Sequence, residues 1–171
     1  MAPRHLILGI VAGLGLYAAE RAYAADPPAC MNDEQQALLE SINKARAKAR
    51  KCGKQSMPAA PPVRWHCKIV AAAEAHSEDM ARNSFLSHEG SDGKRVFERL
   101  QAAGYLPQAW GENVSGGREQ AAPTVYAWLN SPQHCVNLMK YSFTHVGGAL
   151  AINEDSYYRW YWTVAFARPR R

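Results

Sequence analysis

Hydrophobic residues recur at helical spacing through most of the chain and switch to strand spacing near its C-terminus. Leu38, Leu39, Ile42, Ala45 and Ala49 share one helical face, and Asn32 with Gln35 three residues on supplies a cap before them. This first helix is expected to end near Gly53. Lys54 to Val63 carries Pro58, Pro61 and Pro62 among small residues and reads as a connecting loop. A second helix, from about Lys68 to Asn83, places Ile69, Ala72, Ala73, His76 and Met80 on its apolar face, where the alanines permit close approach of a neighbour. A loop with Ser87, His88 and Gly90-Ser91-Asp92-Gly93 leads to a short helix that buries Val96, Phe97 and Leu100 and closes at Gly104. Trp110 to Ser115 reads as a short strand or turn, broken by Gly116-Gly117. A helix from near Pro123 buries Val125, Trp128 and Leu129; Ser131-Pro132 then caps another, carrying His134, Cys135, Leu138 and Met139.

Beyond that point Val146 to Ile152 and Tyr157 to Ala167 are rich in aromatic and β-branched residues, separated by Asn153-Glu154-Asp155-Ser156, which predicts a hairpin. In its second strand Tyr158, Trp160, Trp162, Val164 and Phe166 lie opposite Arg159, Tyr161, Thr163 and Ala165. Helices first and a terminal hairpin predict an α+β domain with a small antiparallel sheet covered by helices. No internal repeat is found.

The N-terminal end has a different character. Arg4 and His5 precede an apolar run from Leu6 to Ala19, and Ala22-Tyr23-Ala24 offers small residues for a signal peptidase, so residues 1–24 are expected to be an export signal. The run is shorter than the roughly 20 residues that span a bilayer, so no stable transmembrane segment is expected after processing. The remaining Ala25 to Arg171 suits one domain. Losing Arg4, Arg21 and Glu20 removes two positives and one negative, taking the formal charge from +5 to +4. That excess is spread along the chain without a basic stripe, which argues against a nucleic-acid partner. All four cysteines, Cys30, Cys52, Cys67 and Cys135, follow the signal and predict two disulfides in a secreted or periplasmic protein, with three pairings open. None has the spacing of a zinc ribbon or redox motif.

The candidate chemistry lies between His88 and His134, which flank a Gly111-Glu112-Asn113 turn. Ser87-His88, Gly111-Glu112-Asn113, Trp128-Leu129-Asn130-Ser131-Pro132-Gln133-His134, Val146-Gly147-Gly148 and Tyr161-Trp162-Thr163-Val164-Ala165-Phe166 together resemble the CAP superfamily of cysteine-rich secretory, antigen 5 and pathogenesis-related proteins, in its bacterial secreted form. The resemblance spans roughly Asp33 to Arg168, with residues 25–32 as an N-terminal segment. It implies an α-β-α sandwich with a three-stranded antiparallel sheet between helical layers. It also implies a cleft lined by His88, Glu112, His134 and the residue at Ser131, where the fuller family pattern has a second glutamate. The early Arg50-Lys51-Cys52-Gly53 and late His134-Cys135 match relatives in which these cysteines pair, implying Cys52 with Cys135 and Cys30 with Cys67.

Two neutral imidazoles and a carboxylate suit Zn²⁺ or another divalent metal, with His88 and His134 as ligands and water in the open positions. Alternatively, Glu112 ties down its loop by accepting backbone hydrogen bonds while both histidines are satisfied polar groups. Asn113 is expected to brace its own turn, the Asn113-Val114-Ser115 sequon to matter only in a glycosylating host, and His76 to be core. A serine hydrolase is disfavoured: there is no Gly-x-Ser-x-Gly elbow, and no acid is placed to orient a histidine beside Ser87 or Ser131. His88-Glu89 lacks the second histidine of a zinc-protease helix, and Cys135 is a candidate thiol only if unpaired. Trp160, Tyr161 and Trp162 read as core before they read as a sugar or lipid groove.

The chain is therefore expected to be a monomeric extracytoplasmic binding or interaction module whose ligand is a protein, glycan or lipid. The alternatives are a metal-dependent hydrolase of envelope or secreted polymers, with His88 and His134 as ligands and Glu112 as catalytic base or third ligand, and a lipid carrier.

Overall fold

Asn32 and Gln35 form a reciprocal cap, each side chain accepting the other's backbone N–H at 2.9 Å, and start helix α1 (Asp33–Arg46). The computed structural model describes residues 28–170, so the expected export signal lies outside the described residues. After α1 come β1 (Arg50–Cys52), β2 (Gln55–Met57), β3 (Arg64–Trp65), α2 (Cys67–Arg82), α3 (Val96–Ala102), β4 (Pro107–Gly116), α4 (Ala121–Asn130), α5 (Pro132–Met139), β5 (His145–Ile152) and β6 (Trp160–Pro169).

The first helix stops short of Gly53, and part of the expected loop is ordered as an antiparallel hairpin, β1 with β2. Gly53 takes φ +60° at its turn, a conformation that glycine adopts without strain. Ala49, expected on the buried helical face, is an exposed connector. Arg46 ends α1 fully buried, its guanidinium donating to the carbonyls of Leu138 at 2.7 Å, Pro61 at 2.9 Å and Phe143 at 3.3 Å. These bonds lock α1 to the end of α5 and satisfy the buried charge.

The main sheet has the order β3-β5-β6-β4. Its three long strands β4, β5 and β6 are antiparallel, and the two-residue β3 joins the edge parallel to β5. The segment read as a short strand or turn from Trp110 is a ten-residue strand. Its glycines hid it: a Cβ on Gly111 would lie 2.9 Å from the Phe143 ring, and one on Gly116 2.5 Å from Tyr158, so both mark close approach rather than chain breaks.

Every residue from Tyr161 to Ala167 is buried, because helices cover both faces of β6. Trp162, Val164 and Phe166 pack with Leu38, Ile42, Val125, Trp128 and Leu138 of α1, α4 and α5. On the other face Ala165 and Ala167 meet Ile69, Ala72 and Leu100 of α2 and α3, and Tyr161 meets Met80. The alanine face of α2 lies so near β5 that a Cβ on Gly147 would be 2.4 Å from the Val70 nitrogen. The result is the α-β-α sandwich.

Candidate functional site

Strand β4 forms one edge of the sheet, and its alternation sends adjacent side chains into opposite layers. Glu112, registered against Ala165, faces α2 and α3; Asn113, against Val164, faces α5. The expected Gly111-Glu112-Asn113 turn is thus extended strand, and this is what lets two consecutive residues, Glu112 and Asn113, clasp both helical layers.

Glu112 is 5% exposed, and both its carboxylate oxygens are engaged. Oε2 accepts from Arg99 at 2.7 Å and Oε1 accepts Nδ1–H of His88 at 2.8 Å. Arg99 also donates to the carbonyls of Lys94 at 2.6 Å and His88 at 3.1 Å, tying the loop before α3 to the same carboxylate. Glu112 therefore holds its surroundings through side chains rather than through backbone N–H groups. With Nδ1 donating, the neutral His88 imidazole has its acceptor at Nε2, on a side chain that is half exposed.

On the other layer Asn113 donates to the His134 carbonyl at 3.0 Å, and Asn137 donates to the Glu112 carbonyl at 3.0 Å and to Asn113 Oδ1 at 3.2 Å. Trp128 Nε1–H reaches the Val114 carbonyl at 3.0 Å. Side chains of α4 and α5 thereby occupy the outward carbonyls of an edge strand that would otherwise invite pairing. Asn113 braces α5, not its own turn. It is also fully buried, so the sequon offers no surface for a glycan.

The imidazoles of His88 and His134 reach round this edge from the two layers, with ring centroids 6.5 Å apart. Ser131 sits between α4 and α5, where its carbonyl accepts from Cys135 N at 2.8 Å while its hydroxyl makes no capping bond. Beside His88 a cavity of about 470 Å³ opens, lined by Arg95, Phe97, Glu98, Trp110 and Glu112.

Sequence reasoning missed Arg99 and Asn137. Arg99 lies three residues after Val96, adjoining the buried face of α3, but nothing in that spacing names a carboxylate partner. Other candidates are removed. Cys135 is bonded to Cys52, and Cys30 to Cys67, with no free cysteine among the described residues. Ser87 Oγ accepts from Glu89 N, and its carbonyl accepts from His76 Nε2 at 2.8 Å. Tyr161 and Trp162 are fully buried in the core.

A divalent ion held by both histidines at about 2.0–2.1 Å would need ring centroids about 5–6 Å apart. At 6.5 Å the pair stands wider than that, so an ion shared by both rings would require them to close on it. Glu112 would act through His88, since Arg99 holds its second oxygen. No group of three or more His, Cys, Asp and Glu side chains is assembled as a ligand set among the described residues.

Burial is the first cause of a lowered pKa at His76 and at His134, and at His134 the neighbouring His88 adds to it. His66 and His145 are lowered too, again chiefly by burial. Each is protonated more easily in the unfolded chain, so the stability they contribute is present above the ordinary value of 6.5 and is lost as pH falls below it. The urea midpoint of the oxidised protein is expected to drop between about pH 7.5 and pH 5.5, a window above the carboxylate titrations. His76→Gln should flatten that slope; an unchanged slope would contradict His76 as a contributor.

The family model described as "Cysteine-rich secretory protein family" (CAP) matches residues 39–166. A solved extracellular protein containing an SCP domain from Bacillus anthracis is 25% identical with a TM-score of 0.65, over 79% of this chain and 40% of that one. An outer surface protein from Borrelia burgdorferi shares the fold at 18% identity and a TM-score of 0.67, over 81% of this chain and 95% of that one. Among curated proteins, the uncharacterized membrane protein YlbC of Bacillus subtilis is 31% identical over 85 residues, 50% of this chain and 25% of its own length. This chain spans a quarter of that relative. Among its described residues no helix is long and apolar enough to cross a membrane.

Proposed function

The chain belongs to the cysteine-rich secretory protein (CAP) family, and from that premise we propose that it is an extracytoplasmic binding module that takes its ligand in the cleft beside His88, Glu112 and His134. Two disulfides and the extracellular setting of similar proteins support a place outside the membrane. The observation that carries the reading is the engagement of Glu112. A carboxylate held on one oxygen by Arg99 and on the other by His88, and only 5% exposed, is committed to positioning an imidazole and offers little of its remaining acceptor capacity to a ligand. The cleft thus presents a fixed His88 imidazole nitrogen, with the His134 ring opposite it, rather than an exposed carboxylate base.

A divalent cation is the second reading, favoured by the carboxylate–histidine contact that aims His88 Nε2 outward. Zn²⁺ would be titrated calorimetrically into oxidised wild-type protein and into His88→Ala and His134→Ala variants of verified fold. One equivalent bound by wild type and lost in both variants is the expected result for a cation-bridged cleft. Binding that survives both substitutions would remove the imidazole pair as the site. An enzyme of envelope polymers, by contrast, would show turnover that a chelator abolishes.

A further inference from the structure

A second recess lies at the end of the sheet where β3, β4 and β5 begin and β6 finishes, sharing no lining residue with the cavity beside His88. It has a volume of about 460 Å³ and is lined by Arg64, Gln108, Thr144, His145, Arg168 and Pro169. It contains two arginines and no carboxylate. Neither guanidinium takes part in an ion pair among the described residues.

The contrast with the other enclosed arginines is informative. Arg46 uses its N–H groups on carbonyl oxygens, and Arg99 uses both terminal nitrogens on carbonyl and carboxylate oxygens, although its Nε, like that of Arg50, has no partner. Arg168 Nε is buried without any partner, and so is the Thr144 hydroxyl. Arg64 has one contact, from NH2 to His145 Nε2 at 3.4 Å. A guanidinium is always a donor, so His145 accepts at Nε2 and carries its proton at Nδ1, where it donates to Tyr105 Oη at 2.8 Å. Tyr105 is buried, and burial raises its hydroxyl pKa to about 12, so it stays neutral behind the imidazole. His66 packs against both rings, at 4.9 Å from Tyr105 and 5.1 Å from His145. These contacts fix His145, and the exposed Arg64 meets it at 3.4 Å along the wall of the recess.

Unused donors thus converge from three strand ends on a concave space without a negative charge. Two guanidiniums and a hydroxyl offer more donors than the two oxygens of a carboxylate can take from one side, whereas a tetrahedral group accepts from several directions. We propose that this recess binds a phosphate- or sulfate-type oxyanion between Arg64 and Arg168, with Thr144 as a further donor. The anion is either a free ion or the ester group of a larger molecule.

The test is a titration of the oxidised protein with inorganic phosphate, sulfate and glycerol 3-phosphate at low ionic strength, followed by NMR shifts of the arginine Nε–H and His145 ring signals. Saturable shifts at these residues are expected, with chloride at matched ionic strength unable to reproduce them. Arg64→Gln and Arg168→Gln should each weaken binding by about tenfold or more. His88→Ala and His134→Ala should leave it unchanged, which separates this site from the cleft. Tighter binding of glycerol 3-phosphate than of phosphate would identify an esterified group as the source, and equal affinities a free ion. Arg64 is exposed, so its variant keeps the test valid even if Arg168→Gln fails to fold. Non-saturable shifts in wild type, or affinity retained by the folded Arg64→Gln variant, would overturn the proposal.

Discussion

Arg99→Ala is expected to destabilise the oxidised protein by about 3–5 kcal/mol, among the largest effects available to a single substitution. Arg99 is 8% exposed and Glu112 5%, and their 2.7 Å contact is the ion pair that closes the α3 side of β4. Truncating the arginine leaves a buried carboxylate without its cation and frees the carbonyls of Lys94 and His88 at the same time. The double variant Arg99→Ala/Glu112→Gln should recover part of the loss, because the uncompensated charge is gone. Urea denaturation of the wild type, both single variants and the double variant would measure this. A loss below about 1 kcal/mol would place the pair among exposed bridges instead. The same variant should disorder His88, whose tautomer is set by Glu112, and histidine NMR would show it.

Removing the Cys52–Cys135 bridge should destabilise more than removing Cys30–Cys67. Loop-closure entropy gives about 4.5 kcal/mol for a sequence separation of 83 residues and about 4 kcal/mol for 37, as upper values. Burial widens the gap. Cys52 and Cys135 are 2% and 0% exposed inside the larger core, so serines there would bury hydroxyls, while Cys67 is exposed. The long bridge also anchors the β1–β2 hairpin to the first turn of α5, where a Cβ on Gly53 would meet Pro132 at 2.9 Å. Loosening that turn would release His134, one residue before Cys135. Denaturation midpoints of the two double-serine variants would decide the order; a greater loss for Cys30→Ser/Cys67→Ser would refute it.

Much of the architecture could be read from local patterns. The capping box at Asn32, the alanine face of α2, the Ser131-Pro132 helix start and the alternation from Trp160 to Phe166 each concern neighbours within a few residues, where one-dimensional spacing carries the geometry. The failures share another cause. β4 was shortened because Gly111 and Gly116 look like breakers until the rings of Phe143 and Tyr158 are seen occupying the space of a side chain. The β1–β2 hairpin was missed because its short strands are organised around a disulfide to a distant helix.

The same division runs through the candidate site. Sequence by itself singled out the candidate residues: His88, Glu112 and His134 stand out by type and motif, as do four cysteines able to bridge. Tertiary structure alone decided what those groups are free to do. It committed Glu112 to Arg99 and His88, turned Asn113 toward α5, and left Arg64 and Arg168 around a recess without an acid. The reason is physical: type and period are local properties of the chain, whereas the partner of a buried charge lies 13 residues away for Arg99 and Glu112, or on another strand altogether, and only packing brings them together.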